Sequence, residues 1–346
     1  MRIYFTETDS STRQFFETAL AHLPRPQTSL HFVEEPDEVL DDATIVSPFI
    51  YTSIDKAFLD AHPNLRCIAS RSVTLCHIDL DTCASRGIPV YNAPAYDGST
   101  AAEHTFALIL ALSRKILEAT ALKRRSASSL QKIQGFDLKN KTLGVIGAGR
   151  IGKNVIQIAR GFDMNILAAD PQPDPHAEKT LGIQYKPFNE VLAAADILTL
   201  HIPASPETHY LLNERTLSLC KKGVLIINTA AGSLIDTQAL IQAIESGHVA
   251  GAGLDVLEEE SLLQHEPHQL LGAQIVQNIQ KSPPPEHLSS ISYARIREIQ
   301  NLMINKKLLA LPNVIVTPHV AYHSTESICK INQATLDNIL HFLQDS

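Results

Sequence analysis

The stretch Thr142-Leu143-Gly144-Val145-Ile146-Gly147-Ala148-Gly149-Arg150-Ile151-Gly152 is the strongest indication of fold class in this 346-residue chain. A strand-like apolar run leads into three glycines spaced Gly-x-Gly-x-x-Gly, and a helix-like stretch follows from Lys153 to Arg160. A second apolar run, from Asn165 to Ala169, ends at Asp170. This order of strand, glycine turn, helix and strand is typical of a βαβ unit in a doubly wound parallel sheet.

The glycine turn also predicts a ligand. In such a unit Gly147 makes the tight turn, Gly149 lets backbone N–H groups approach a pyrophosphate, and Gly152 allows the helix to pack closely on the strand. Asp170 lies 18 residues beyond Gly152, where a carboxylate accepts hydrogen bonds from the adenosine ribose hydroxyls. Because that carboxylate would repel a 2′-phosphate, the sequence predicts NAD(H) rather than NADP(H). A purely structural glycine turn in another α/β protein is the alternative.

Composition is that of an ordinary globular protein of about two domains. Hydrophobic residues make up 44% of the chain, and the formal net charge is −8, which argues against nucleic acid or an anionic membrane as the main partner. The five cysteines are scattered and odd in number, as expected of reduced thiols in the cytoplasm. No signal peptide, membrane span or paired metal-ligand spacing is predicted. We therefore expect a cytoplasmic protein without a metal.

Around the glycine turn, the sequence divides into two α/β domains. Residues 1–101 alternate short apolar runs with helical stretches, and residues 102–319 contain the dinucleotide-binding unit. A helix over 101–119 is predicted to bridge the two, and the final helix within 320–346 is predicted to return to the first domain. The segment 261–310 does not fit this pattern, since it combines three consecutive prolines, several histidines and an amphipathic stretch. A surface excursion of one or two helices is favoured, with a lid or a dimer contact as alternatives.

Together the motifs resemble those of the D-isomer-specific 2-hydroxyacid dehydrogenases, nearest to the D-lactate dehydrogenase-like branch. The resemblance extends over nearly the whole chain and implies a Rossmann domain inserted into a smaller flavodoxin-like substrate domain, and a homodimer. Besides the glycine turn, the stretches that carry it are Arg71-Ser72, His77-Ile78-Asp79, Ala102-Glu103-His104, Leu200-His201-Ile202-Pro203, Ile227-Asn228-Thr229-Ala230, Leu234-Ile235-Asp236, Gly253-Leu254-Asp255-Val256 and Thr317-Pro318-His319.

The chemistry that this resemblance implies is hydride transfer between NADH and C2 of a small 2-keto acid. His319 matches the proton carrier, a role that suits imidazole because it titrates near neutrality. Glu260 matches the carboxylate that raises the pKa of the imidazole and fixes its tautomer. A buried structural histidine and a solvated acidic run are the alternatives. The positions that match the family's cofactor contacts are Gly147, Gly149, Arg150, Ile151, Gly152, Asp170, Pro203, Thr208, Thr229, Ala230, Ala231 and Asp255.

Two departures concern the carboxylate of the substrate. The family's loop Asn-Thr-Ala-Arg-Gly reads Asn228-Thr229-Ala230-Ala231-Gly232 here, so that Ala231 occupies the position of the substrate-binding arginine. In the first domain, the family's Arg-Ser-x-Gly loop offers backbone N–H groups to that carboxylate. The same loop reads Arg71-Ser72-Val73-Thr74 here, so that Thr74, which has a Cβ, stands in the position of the flexible glycine. Arg295 or Arg297 would supply a cation only if the segment 261–310 folds over the site.

Two functional hypotheses follow from these residues. The first is an NAD-dependent dehydrogenase of 2-hydroxy acids that is impaired by the missing arginine. The second is an NAD(H)-binding protein without turnover, acting as a sensor, scaffold or regulatory subunit.

Overall fold

The computed structural model describes residues 1–21, 23, 28–34, 38–75, 77–93, 98–124, 133–258, 260 and 290–345, with the backbone alone for 123–124, 290–299 and 345. Cys76 and residues 261–289 of the predicted insertion lie outside the described residues. The chain divides into two compact units, residues 1–97 with 323–346, and residues 98–322. No helix in the described ranges is long and apolar enough to span a membrane.

The described strands are, in chain order, β1 Arg2–Thr6, β2 Ser29–Val33, β3 Ile45–Ser47, β4 Cys67–Ala69, β5 Val90–Tyr91, β6 Thr142–Ile146, β7 Asn165–Ala169, β8 Gln184–Tyr185, β9 Ile197–Leu200, β10 Val224–Asn228, β11 Val249–Leu254 and β12 Val314–Val316. The described helices are α1 Ser10–Ala19, α2 Lys56–Ala61, α3 Leu80–Ser85, α4 Ser99–Ser113, α5 Ile116–Arg124, α6 Arg150–Gly161, α7 Pro175–Leu181, α8 Phe188–Ala194, α9 Glu214–Leu219, α10 Thr237–Glu245, α11 Ser290–Leu309 and α12 Thr325–Asp345. A short 3₁₀ turn covers Gly232–Leu234.

The smaller unit contains a five-stranded parallel sheet in the order β2-β1-β3-β4-β5. This is the strand order of flavodoxin-like folds. The side chains of Ile3, Phe5 and Phe16 are fully buried and form a cluster with Ile339 and Phe342 of α12. The apolar face of α12 therefore completes the core of this unit, to which the last segment of the chain belongs.

The larger unit contains a seven-stranded sheet in the order β12-β11-β10-β9-β6-β7-β8, and its paired strands are all parallel. From β8 to β11 this is the Rossmann order. The predicted fold class is confirmed, with a Rossmann unit inserted between the two segments of a flavodoxin-like unit. The order reverses between β6 and β9, and doubly wound sheets bind their ligands beyond the carboxyl ends of the strands at such a switch point.

The prediction of one continuous helix over 101–119 is wrong, because this stretch is divided between α4 and α5. The carbonyl oxygen of Ser113 accepts the N–H of Phe136 at 2.9 Å, a residue far along the chain. Lys115 then turns into the left-handed region with φ of 51°. This non-local hydrogen bond uses a carbonyl that a continuous helix would need, so the chain begins a new helix.

Two further elements, α7 and β8, are not among the predicted ones. The Asp174 side chain caps α7 by accepting the N–H groups of His176 and Ala177 at 2.9 and 3.2 Å. Pro175 at the first position of α7 is also a usual helix start. The sequence thus contained the helix-capping residue Asp174, but the prolines around it are typical of a loop.

The end of the predicted insertion belongs to the larger unit. Leu302, Asn305 and Leu308 of α11 are buried at a spacing of three residues, and α11 packs on α10. Lys307 Nζ lies 2.9 Å from a Glu245 carboxylate oxygen of α10. The surface excursion, lid and dimer-contact interpretations depend largely on 261–289, outside the described residues, and the described side chains do not include Arg295 and Arg297.

Candidate functional site

The residues predicted to bind the cofactor and to carry the proton all follow strands of the larger sheet. Because parallel strands end at the same edge, this one edge bears them all. They are the glycine turn after β6, Asp170 after β7, Pro203 and Thr208 after β9, Thr229 to Ala231 after β10, Asp255 and Glu260 after β11, and His319 after β12.

The three glycines of the turn have different surroundings. Gly147 has φ of 91°, and a Cβ there would lie 2.6 Å from the carbonyl oxygen of His201. At Gly152 a Cβ would lie only 2.1 Å from the Gly147 carbonyl oxygen, so α6 packs directly against the turn. Around Gly149, by contrast, no heavy atom lies within 4 Å of the position that a Cβ would take. The space above the start of α6 is open.

Asp170 supports the turn from the end of β7. Its Oδ2 accepts the N–H of Ala148 at 2.8 Å, and its Oδ1 accepts the N–H of Gln172 at 2.8 Å. A carboxylate can accept about four hydrogen bonds, so it retains the capacity to accept ribose hydroxyls. Open space over the N-terminus of the 12-residue α6, together with this carboxylate, fits a dinucleotide whose pyrophosphate meets the positive end of the helix.

Two partly exposed loops flank the turn along the same edge. In the first, Thr208 Oγ1 donates to the Pro203 carbonyl at 2.9 Å and accepts the N–H of Ser205 at 2.8 Å. In the second, the hydroxyls of Thr229 and Thr105 lie 3.0 Å apart. The first loop is therefore held by its own hydrogen bonds, and the second by a side chain of α4.

The loop that carries Ala231 is held by the amide of Asn228. Asn228 Nδ2 donates to the Ala231 carbonyl at 2.8 Å, and its Oδ1 accepts the N–H of Ala230 at 3.0 Å. Ala231 is extended, with φ of −155° and ψ of 141°, a conformation open to any residue. A Cβ on Gly232 would lie 2.1 Å from the carbonyl carbon of Leu257. The loop thus packs directly on the segment that leads to Glu260.

His319 and Glu260 form an ion pair at this edge. His319 Nδ1 lies 2.5 Å from Glu260 Oε1, and the two side chains are 30% and 22% exposed. The other oxygen of Glu260 accepts the N–H of Leu257 at 3.2 Å. Burial by itself lowers the pKa of His319, but the hydrogen bond to Glu260 and the charges of Glu260 and Asp255 outweigh it, so the pKa lies above its ordinary value.

Asp255 lies beneath this pair and is fully buried. Its carboxylate accepts Thr317 Oγ1 at 2.5 Å and the N–H groups of Val320 and Ala321 at 2.9 and 2.7 Å. Burial alone raises the pKa of Asp255, yet these hydrogen bonds and one from His104 outweigh it, so its pKa is lowered. Donors of the chain itself enclose this carboxylate, and the contribution of Asp255 to cofactor binding stays a prediction.

Val73 and Thr74 lie after β4 in the smaller unit. Asn92 Nδ2 donates to the Val73 carbonyl at 2.9 Å, and the exposed Thr74 has its hydroxyl 3.4 Å from that of Ser72. Thr74 is not one of the residues with positive φ. The Cβ of Thr74 therefore causes no backbone strain. The loop adopts a conformation that does not require the glycine found in the family.

His104 is the functional candidate to which sequence reasoning gave no role. It belongs to the Ala102-Glu103-His104 motif on α4, and its Nε2 lies 3.0 Å from Thr317 Oγ1. The available signal in the sequence was a histidine near the start of an apolar helical stretch. In the described part of the chain, no group of three or more His, Cys, Asp or Glu side chains is arranged to hold a metal ion.

Comparison with known proteins agrees with this geometry. Residues 106–321 match the family model of the D-isomer specific 2-hydroxyacid dehydrogenase, NAD binding domain. The chain is 36% identical over 309 residues to 2-hydroxyacid dehydrogenase homolog 1 of Schizosaccharomyces pombe, covering 87% of this chain and 83% of that protein. It is 33% identical over 314 residues to the glyoxylate reductase of Thermococcus litoralis, covering 89% and 91%.

A solved structure extends the likeness to nearly the whole fold. D-lactate dehydrogenase from Aquifex aeolicus, complexed with NAD and lactic acid, matches with a TM-score of 0.81 and 32% identity, covering 99% of this chain and 96% of that one. The chain belongs to the D-isomer specific 2-hydroxyacid dehydrogenase family. Its cofactor is NAD, so the family and the cofactor predicted from the sequence are both confirmed.

The open space at Gly149 leads to a prediction for cofactor binding. Gly149→Ala adds a methyl group where the pyrophosphate approaches the backbone, so we expect the Kd for NADH to rise at least about tenfold, ~1.4 kcal/mol, without loss of thermal stability. Gly152→Ala is the matched control, because its Cβ would meet the Gly147 carbonyl oxygen at 2.1 Å and should lower Tm. NADH fluorescence titration and thermal unfolding measure the two effects. An unchanged Kd in Gly149→Ala would place the pyrophosphate elsewhere.

Proposed function

We propose that the chain catalyses NAD-dependent hydride transfer between NADH and a small 2-keto acid, giving the D-2-hydroxy acid, and that Ala231 weakens this activity. The observation that carries the proposal is the ion pair of His319 and Glu260, 2.5 Å apart, on the sheet edge that bears the dinucleotide turn. A partly exposed imidazole with a raised pKa is suited to donate a proton near neutrality.

Bound NADH supplies the hydride to C2 of the keto acid. His319 donates the proton that the carbonyl oxygen needs as it becomes a hydroxyl. Since Glu260 accepts from Nδ1, the proton that is exchanged is the one on Nε2. Glu260 also stabilises the imidazolium form before transfer, and the Leu257 N–H holds the carboxylate in place. In the oxidation direction, neutral His319 accepts the same proton.

Ala231 supports the proposal that this activity is weakened. The family resemblance assigns this position to an arginine that binds the substrate carboxylate. A methyl group offers neither charge nor a hydrogen bond, whereas a guanidinium offers a bidentate pair. The Asn228 amide still holds the loop in place, so the loss concerns the side chain alone.

The second candidate function is that of an NAD(H)-binding protein without turnover, acting as a sensor, scaffold or regulatory subunit. The same Ala231 favours it, because a site that cannot hold its substrate retains only the cofactor.

The homodimer expected from the resemblance also stays a prediction. The exposed side chains of Ile116 and Leu117 at the start of α5, 51% and 53% accessible, are compatible with it.

A panel of 2-keto acids tests the two functions. We expect NADH oxidation, followed by nicotinamide absorbance, to depend on the concentration of at least one acid among glyoxylate, pyruvate, hydroxypyruvate and phenylpyruvate. Calorimetric titration with NADH is run on the same preparation. Tight binding of NADH without any keto-acid-dependent oxidation would favour the second function.

The pKa of His319 predicts the pH dependence of reduction. Reduction needs protonated His319, so kcat/KM should be sustained below the raised pKa and fall as pH rises through it. Glu260→Gln removes a charge that raises this pKa, and we expect the fall to move to lower pH. Glu258→Gln is the matched control, because the Glu258 carboxylate accepts Tyr210 Oη at 2.6 Å and not His319. A profile that moves equally in both variants would contradict the assignment.

A further inference from the structure

We propose that His104 is a positioning residue for His319, acting through Thr317 and the buried carboxylate of Asp255. This inference rests on the proposed role of His319 as the proton carrier. His104 lies on α4, far in sequence from the other three residues. Its Nε2 is 3.0 Å from Thr317 Oγ1 and 3.4 Å from Asp255 Oδ1, and its side chain is 21% exposed.

The direction of each hydrogen bond follows from the available protons. Asp255 is ionised and can only accept, so the single hydroxyl proton of Thr317 is donated to Asp255 Oδ1, 2.5 Å away. Thr317 Oγ1 then has no proton to offer His104. His104 Nε2 must therefore carry the proton, which it shares between Thr317 Oγ1 at 3.0 Å and Asp255 Oδ1 at 3.4 Å. The result is a chain of donors that runs from His104 through Thr317 to the carboxylate.

That carboxylate fixes the backbone around His319. Its two oxygens accept the N–H groups of Val320 and Ala321, and the Asp255 carbonyl accepts the N–H of His319 at 2.9 Å. His319 itself has φ of 52°, a left-handed conformation that costs energy for a residue with a Cβ and persists only where its surroundings hold it. Asp255 and its donors provide that support.

His104 also weakens the effect that the negative charge of Asp255 has on His319. Among the described groups, the carboxylates of Glu260 and Asp255 act on the His319 imidazole, and His104 is the imidazole that bonds to Asp255. Glu103, beside His104 on α4, is exposed. Without His104, Asp255 has one donor fewer, and its negative charge acts more strongly on His319. Loss of His104 should therefore raise the pKa of His319, opposite in sign to loss of Glu260.

Imidazole NMR of the NADH-saturated protein tests this inference without requiring turnover. We expect the titration midpoint of His319, assigned by its absence in His319→Asn, to rise by roughly half a pH unit in His104→Ala. His104→Gln retains an N–H donor near the position of Nε2 and should restore the midpoint. His176→Ala, on the exposed face of α7, is the matched control and should leave it unchanged.

A Thr317→Val variant removes the hydroxyl that links the two groups. In that background we expect His104→Ala to produce a smaller change, because the route through the hydroxyl is gone and only the longer contact of His104 with Asp255 remains. An unmoved His319 midpoint in His104→Ala, or equal midpoints in the alanine and glutamine variants, would overturn the inference. A protein that shows the expected midpoints but no keto-acid reduction would instead contradict only the proposed catalytic function.

Discussion

Installing arginine at position 231 should raise kcat/KM for pyruvate and related 2-keto acids at least about tenfold. Losing one partner of a desolvated charge pair costs roughly 2–5 kcal/mol, which at about 1.4 kcal/mol per decade is ~30- to 5000-fold. Ala231 is extended and partly exposed, so an arginine can be accommodated by the backbone. We expect a partial recovery, because no neighbouring side chain has been adjusted to orient the new guanidinium.

Two comparisons separate charge recognition from other effects of the Ala231→Arg substitution. Ala231→Gln adds a long polar side chain without charge and should give little gain. Pyruvamide, in which the carboxylate is replaced by a neutral amide, should gain much less than pyruvate in the arginine variant. Equal gains for both compounds, or no gain for either, would contradict the view that a missing cation limits the activity.

Removing the imidazole of His319 should lower kcat/KM for the keto acid by about 10²- to 10⁴-fold, the usual contribution of a positioned general acid. His319→Asn is the appropriate variant, because asparagine tolerates the left-handed backbone at this position, where φ is 52°. The Asp255 carbonyl should still accept the N–H of residue 319. We therefore expect the fold and the Kd for NADH to be nearly unchanged.

The Ala231→Arg background provides a measurable starting rate for this test. His319→Asn should abolish most of the activity that the arginine restores, while calorimetry reports unchanged NADH binding. If the double variant retained the rate of Ala231→Arg alone, another group would carry the proton and the assignment of His319 would be wrong.

Much of the fold could be predicted because its signals are local. The glycine turn and the apolar runs around it lie within thirty or so residues of one another, and their spacing determines a βαβ unit. The break between α4 and α5 could not be predicted, since it depends on the hydrogen bond from Phe136 to Ser113. Strand β8 has only two residues, too few for an alternating pattern.

The candidate site divides in the same way. His319, Glu260 and Asp170 stand in motifs whose residue types indicate their chemistry. The enclosed position of Asp255 and the donor role of His104 depend on contacts across the fold, as between residues 104 and 317, which are 213 positions apart. The burial of Asp255 could not be predicted, because the sequence of a motif does not show whether its carboxylate is buried or exposed.

The transfer of deuterium from NADH to C2 of the keto acid tests the proposed hydride transfer itself. NADH carrying deuterium at both C4 positions is incubated with pyruvate and the protein, and the lactate formed is analysed by mass spectrometry and chiral separation. We expect D-lactate with one deuterium at C2, formed slowly by the present chain and faster by the Ala231→Arg variant. Prolonged incubation with bound NADH and no labelled lactate from either protein would contradict this proposal.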